Sequence, residues 1–374
     1  MFADVVANPF RILAKPFPLR SWIFAGMLAC YILASLFVFY LWIAPSLDGR
    51  TDQHITADSV TYLYFAETLR AGRFDPWVMA ALSTFPNTLW APVLIALILK
   101  STLAIVLANY VIFFVAIALL KKSFSFSTGV FISLLLLNAT TTISLLSVNK
   151  EIIDLFAISL FLFAYRKRKR SLLLIALAIA FFNRFEVCLV MLVFLFAQTR
   201  FNPWRRRRGV TLLVLTLALS VLLPLVAGGS LTRRFEEASS GGVIVWLDQM
   251  EMHYLYALAV VPKVAENLFG VLVNTSTWTA FSDLSDIANS YILLLNNLAS
   301  AIVVMTLIWK RTLSARFEVI YLAMIGCILM AVSLVIQPRY FYFVYVLLSL
   351  QAAQPETRPL STRLAASERV TANA

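Results

Sequence analysis

Charge is scarce in this chain. Asp, Glu, Lys and Arg make up 13% of its 374 residues, about half the share of an ordinary soluble domain. With 61% hydrophobic residues and a mean hydropathy of +0.85, that shortage excludes such a domain and points to a polytopic integral membrane protein. Cysteine is rare too. Cys30, Cys188 and Cys327 all fall in apolar segments without metal-ligand spacing, so they read as small core residues and say nothing of redox compartment. The only histidines are His54 and His253. No GxxxxGK(S/T), GxGxxG or HExxH motif occurs, so nucleotide hydrolysis, dinucleotide chemistry and a zincin centre have no basis in the sequence. Nor is there an internal repeat of the kind many secondary transporters carry.

The charge that is present leans basic, with 31 Lys and Arg against 19 Asp and Glu. In a soluble chain that balance would suggest nucleic acid. Here the basic residues lie in short clusters between apolar runs, as in cytoplasmic loops, and no nucleic-acid partner is expected.

Trp22 to Ala44 is an apolar run of 23 residues, about 34 Å as a helix, long enough to span a bilayer and too long for the core of a cleaved signal peptide. Arg11, Lys15 and Arg20 precede it, which places the N-terminus in the cytoplasm. Pro45 to Asn87 is then external, with a helix predicted over Ala57 to Ala71 whose interior positions are Val60, Tyr64, Ala66 and Leu69. Leu89 to Leu99 is too short to cross and reads as an interfacial or re-entrant helix. Ser101 to Leu120 is the second crossing.

Further crossings are expected at Phe126–Ser147, Glu151–Tyr165, Ser171–Phe182, Val187–Ala197, Val210–Val226, Tyr291–Trp309, Phe317–Ile336 and Arg339–Leu350. The expected fold is therefore an all-α membrane bundle of about ten transmembrane helices with external interfacial helices. It forms one membrane-embedded domain over 1–353, with external loops at about 45–100 and 227–290 and a flexible tail at 354–374. The basic runs at 166–170 and 205–208 set the orientation, a multi-pass protein of the cytoplasmic membrane with both termini in the cytoplasm. In the loop at 227–290, Val243 to Val261 reads either as an amphipathic interfacial helix, with Trp246, Asp248 and Met252, or as a plain helix packed on the bundle.

The central stretch is Phe181-Phe182-Asn183-Arg184-Phe185-Glu186, where an arginine and a carboxylate interrupt apolar sequence. Such residues cost about 2.5 to 3.5 kcal/mol each at a membrane helix centre, so they face a bundle interior or a wet cavity. With the orientation above, this turn, the turn at Asn149-Lys150-Glu151 and the turn at Gln337-Pro338-Arg339-Tyr340 all reach the outer face, beside the loop that holds Asp58. Arg184, Arg339 and Lys150 are candidate ligands for phosphate oxygens. Asp58, Glu186 and Glu151 are candidate bases for an attacking hydroxyl. Arg184 with Glu186, or Lys150 with Glu151, can also be structural ion pairs. His54 with Asp52 and Asp58 could hold a divalent metal, but the residues do not require one, and no cofactor is expected.

Ala57-Asp58-Ser59-Val60-Thr61-Tyr62-Leu63 in the first external loop, the short spans, and Gln337-Pro338-Arg339-Tyr340 near the end together resemble polytopic C-type glycosyltransferases and related bacterial polysaccharide polymerases. The resemblance implies a sugar donor linked to polyprenyl phosphate or diphosphate, used at the outer face of the cytoplasmic membrane. It also implies that Asp58 is the base and that other polysaccharide-synthesis proteins are partners. This chain departs from the pattern in having Ser59 where many such transferases carry a second acid, and no large soluble C-terminal domain is expected in it. A transporter or flippase for a glycolipid or other anion is the alternative, since it would use the same arginines without a base.

Overall fold

The computed structural model describes residues 19–47, 57–73, 75–84, 86–227, 247, 249–251, 253–269, 284–332 and 338–355. His54, Asp52, Gln337, Trp246, Asp248, Met252 and the tail beyond residue 355 lie outside them.

The described residues are helical throughout, without strands. In order they are α1 (Leu19–Val38), continued by a π-helical turn and a last α-turn to Leu47; α2 (Ala57–Arg70); α3 (Pro76–Thr84); α4 (Pro86–Ile98); and α5 (Thr102–Ser123). Next come α6 (Thr128–Leu137), α7 (Ala139–Leu145), α8 (Glu151–Arg166), α9 (Arg170–Asn183), α10 (Phe185–Gln198) and α11 (Arg208–Ala227). The last are α12 (Tyr256–Phe269), α13 (Leu284–Trp309), α14 (Glu318–Met330), a 3-10 turn (Pro338–Phe341) and α15 (Tyr342–Ala352).

Between the carboxylates of its first turn and Arg166 at its end, α8 is apolar on nearly all sides, as is α15, and that pattern requires burial on all sides. Both sit at the centre: Ile152 to Ala164 of α8 and the whole of α15 are buried apart from the half-buried Phe156. Around α8 pack α5 and α9, and around α15 pack α13 and α14. Gly326 of α14 allows the closest approach, since a Cβ there would lie 2.6 Å from the Phe343 ring. By contrast α1 leaves Trp22, Met27, Leu33 and Phe37 exposed along one flank. An apolar flank of that kind suits lipid.

Among the described residues, four helices are long and apolar enough to cross a membrane, over Trp22–Leu41, Thr102–Ser123, Arg208–Leu225 and Ile292–Trp309. The segment Phe126 to Ser147, expected as one straight crossing, is broken into α6 and α7, bent by 89°. The break has a physical cause. Asn138 caps α7 by accepting from Thr140 N at 3.0 Å, and Asn296 of α13 holds the same residue through Thr140 N and Oγ1 at 3.1 and 2.9 Å. At the other end of α7, Asn109 of α5 donates to the carbonyls of Ser144, Leu145 and Ser147 at 3.1, 3.3 and 2.8 Å. Polar caps at both ends replace the backbone bonds that a straight helix would have kept.

Helices α9, α10 and α14 have 14, 14 and 13 residues, about 20 Å each against a hydrocarbon core of about 30 Å. Basic side chains gather at one end of the bundle. Arg166 ends α8, pairs with Glu318 at 3.0 Å and donates to Ser123 O at 2.8 Å. Arg208 donates to the carbonyls of Ala315 and Arg316, and Lys310 to those of Ala352 and Gln354. Glu151 and Asp154 begin α8 at the opposite end, where the helix dipole favours negative charge.

Helices α2 to α4 make their own small core. Tyr62, Phe65 and Ala66 of α2 pack with Val78, Leu82, Val93, Ala96, Ile105 and Val148. The expected interior position Tyr64 is instead exposed, because the buried face runs through Ser59, Tyr62 and Phe65–Ala66. Among the described residues of Val243 to Val261, the chain is not helical at His253 to Leu255. Tyr254 has φ 63°, a left-handed conformation that ends a helix, and α12 starts at Tyr256. Lys263 of α12 is fully buried and pairs with Glu251 at 2.7 Å, a contact that nothing in the sequence singled out.

Candidate functional site

Three turns and the start of α2 meet at the end of the bundle opposite Arg166. The chain between α9 and α10 breaks at a single residue: Arg184 is extended, with φ −158° and ψ 103°, and caps the end of one helix and the start of the next. Its side chain turns inward. Arg184 Nη2 pairs with Glu151 Oε1 at 3.2 Å, and Nε with Asp154 Oδ2 at 3.5 Å. The arginine and both carboxylates are buried, with side-chain exposures of 6%, 2% and 0%. Ser144 Oγ donates to Glu151 Oε2 at 3.3 Å. Asn183 Nδ2 donates to Asp154 Oδ1 at 2.7 Å and to the carbonyl of Lys150 at 2.9 Å.

The second half of the cluster is open. Asp58 lies in the first turn of α2, and Ser59 Oγ fixes that turn to the bundle by donating to Val148 O at 2.8 Å. Arg339 comes from the 3-10 turn before α15, and its Nη1 pairs with Asp58 Oδ2 at 2.7 Å. Here the side chains are 39% and 46% exposed. The halves touch, because Arg184 Nη1 donates to the carbonyl of Arg339 at 3.3 Å. The Tyr340 ring lies between the two guanidinium groups, 5.3 Å from Arg184 and 5.5 Å from Arg339.

Lys150 completes the group. Its ammonium stands 5.7 Å from the ring centre of Tyr62, one helical turn beyond Asp58 on α2. Among the described residues no carboxylate is in ion-pair distance of it. Burial first, and the neighbouring Arg184 second, push the Lys150 ammonium below the ordinary lysine value, while Glu151, Asp58 and Asp154 oppose the shift. Three cations thus meet three carboxylates in one patch.

Of the six residues singled out by sequence, five converge: Asp58, Lys150, Glu151, Arg184 and Arg339. Glu186 is close to Arg184 in sequence, but it is exposed on α10 and makes no ion pair or hydrogen bond among the described residues. Its charge is still felt by Arg184, but its carboxylate is not paired with the Asp58–Arg339 contact. Asp154, Asn183, Tyr62 and Tyr340 were not assigned a role. The signal for Asp154 was present: Glu151 and Asp154 are three residues apart, on one face of a helix otherwise apolar, where an unpaired carboxylate is costly.

Among the described residues no three His, Cys, Asp or Glu approach closely enough to hold a metal ion. A cavity of about 360 Å³ is lined by Leu63, Glu67 and Arg70 of α2 and by Lys100. None of the charged residues of the cluster lines it. Comparison of the chain with protein-family models, with curated proteins and with solved structures gives no match.

Proposed function

We propose that this chain is a membrane glycosyltransferase or polysaccharide polymerase that takes a sugar from a polyprenyl phosphate or diphosphate at the outer face of the cytoplasmic membrane. The observation that carries the reading is the half-exposed Asp58–Arg339 pair beside Lys150, set on a buried frame of Arg184, Glu151 and Asp154. In this reading Arg339 and Lys150 hold the phosphate oxygens. Asp58 accepts the proton of the acceptor hydroxyl, whose oxygen bonds to the anomeric carbon as the bond from that carbon to the phosphate oxygen breaks. The leaving phosphate takes the electron pair, and the two cations stabilise its charge.

Arg184 has a different role from the one its sequence suggests. Two buried carboxylates already neutralise it, so it holds the frame and orients Arg339 by bonding that residue's carbonyl. Glu151, paired with Arg184, belongs to the same frame.

Ten crossings with cytoplasmic termini remain part of the proposal. The separation of Arg166, Arg208 and Lys310 at one end of the bundle from the Asp58 cluster at the other supports it. The short helices α9 and α10 would then bring Arg184 below the outer headgroups, where a lipid-borne phosphate can reach the patch.

Membrane vesicles supplied with a lipid-linked sugar test the reading. New glycosidic bonds are expected. Movement of the carrier across the membrane without bond formation would replace a transferase by a transporter.

A further inference from the structure

Resting on that reading, we infer that Asp58 and the donor phosphate compete for Arg339, so that binding of the phosphate is what releases the base. In the structure Asp58 Oδ2 is 2.7 Å from Arg339 Nη1. An oxygen held by a guanidinium is engaged as an acceptor and is poorly placed to take a proton from a hydroxyl. The pair as found therefore holds Oδ2 in a closed state, and opening the contact frees that oxygen to act as the base.

The geometry supplies a way to open it. Both side chains are substantially exposed, and ion pairs of that kind are weak because solvent and salt screen them. A phosphate offers the same guanidinium more charge and two oxygens in the spacing that an arginine fork grips. Lys150 adds the direction. Its ammonium stands over Tyr62, four residues along α2 from Asp58, so an anion drawn towards Lys150 arrives beside the Asp58–Arg339 contact. The buried frame does not exchange in this way, because every atom that would have to leave Arg184 is enclosed. Arg339 can change partners while its backbone stays in place, since Arg184 holds its carbonyl.

Arg339 stays paired throughout the exchange: Asp58 leaves as phosphate enters, and the freed Oδ2 then receives the proton of the acceptor hydroxyl. The ligand class is a phosphate or diphosphate ester. In the absence of donor, Asp58 is an internal competitor of the ligand.

The test is equilibrium binding of farnesyl diphosphate to the purified full chain and to Asp58→Asn, with Glu67→Gln as a control that removes one exposed negative charge elsewhere on α2. Asn caps a helix about as well as Asp, and thermal unfolding of each variant confirms that it is folded. Asp58→Asn is expected to bind roughly two- to fivefold more tightly, the weight of an exposed ion pair, while Glu67→Gln binds like the unaltered chain. Equal or weaker binding by Asp58→Asn overturns the competition and leaves the phosphate site standing. Equal tightening in both variants also overturns it, because the effect is then one of bulk charge. Absence of binding by all three proteins removes the phosphate reading itself.

Discussion

Arg184 and Arg339 are the same residue type, each paired with carboxylate, and their groups are joined by a hydrogen bond; yet one pair is sealed and the other is open. Arg184 is 6% exposed between Glu151 and Asp154, whereas Arg339 is 39% exposed on Asp58. Burial decides what each can do. Separating charges that have lost their water leaves both uncompensated, so the Arg184 group behaves as a joint. Exposed charges exchange partners at little cost, so the Arg339 pair can take part in a reaction cycle.

The largest effect should come from breaking the sealed half. Arg184→Leu strips the cation from two buried carboxylates, and losing one partner of a buried pair costs about 3 to 5 kcal/mol. The variant is expected to accumulate poorly or to unfold at a much lower temperature, as read by thermal scanning in detergent. A folded, normally stable Arg184→Leu would mean that burial does not separate the two halves.

Next is the open half. Asp58→Asn should fold and accumulate normally but lose about a hundredfold or more in sugar transfer, the usual weight of a general base. Near-normal turnover would reduce Asp58 to a helix cap. Glu186→Gln should leave transfer nearly unchanged, because its exposed carboxylate does not join Asp58.

The smallest effect concerns Lys150. Since burial and Arg184 lower its affinity for a proton, the ammonium is lost on raising the pH sooner than from an exposed lysine. Affinity for farnesyl diphosphate should therefore decline with rising pH, starting below the ordinary lysine range. In Lys150→Arg, whose guanidinium keeps its charge, that decline should disappear. Identical pH profiles for the two proteins would remove Lys150 from the site.

Much of this contrast is absent from the sequence, although the residues themselves stand out. Arg184, Glu151 and Lys150 are visible because charge in an apolar run demands a reason, and basic runs at 166–170 and 205–208 place their turns at one end. Helix limits are also legible: Ala57 to Ala71 is observed as Ala57–Arg70, and Glu151 to Tyr165 as Glu151–Arg166. Pairing is not. Whether Arg184 takes Glu186, two residues away, or Glu151, 33 residues away, depends on the one-residue break that turns the arginine inward. The same limit explains Asn138, a helix breaker only because Asn296, 156 residues beyond Thr140, is there to hold the next turn. It also explains Tyr64, since helical spacing gives a face but not which neighbours cover it. Asp154, by contrast, is legible, since it stands three residues beyond Glu151 on the same face of an otherwise apolar helix.

Equilibrium binding of farnesyl diphosphate to Arg339→Gln tests most directly the division between a sealed frame and an open working pair. The account predicts an unfolding temperature like that of the unaltered chain, because an exposed pair adds only about 0 to 1 kcal/mol. It also predicts at least about a tenfold loss of affinity, because the charged fork that grips phosphate is gone. Unchanged affinity, or unfolding as severe as that of Arg184→Leu, would contradict it.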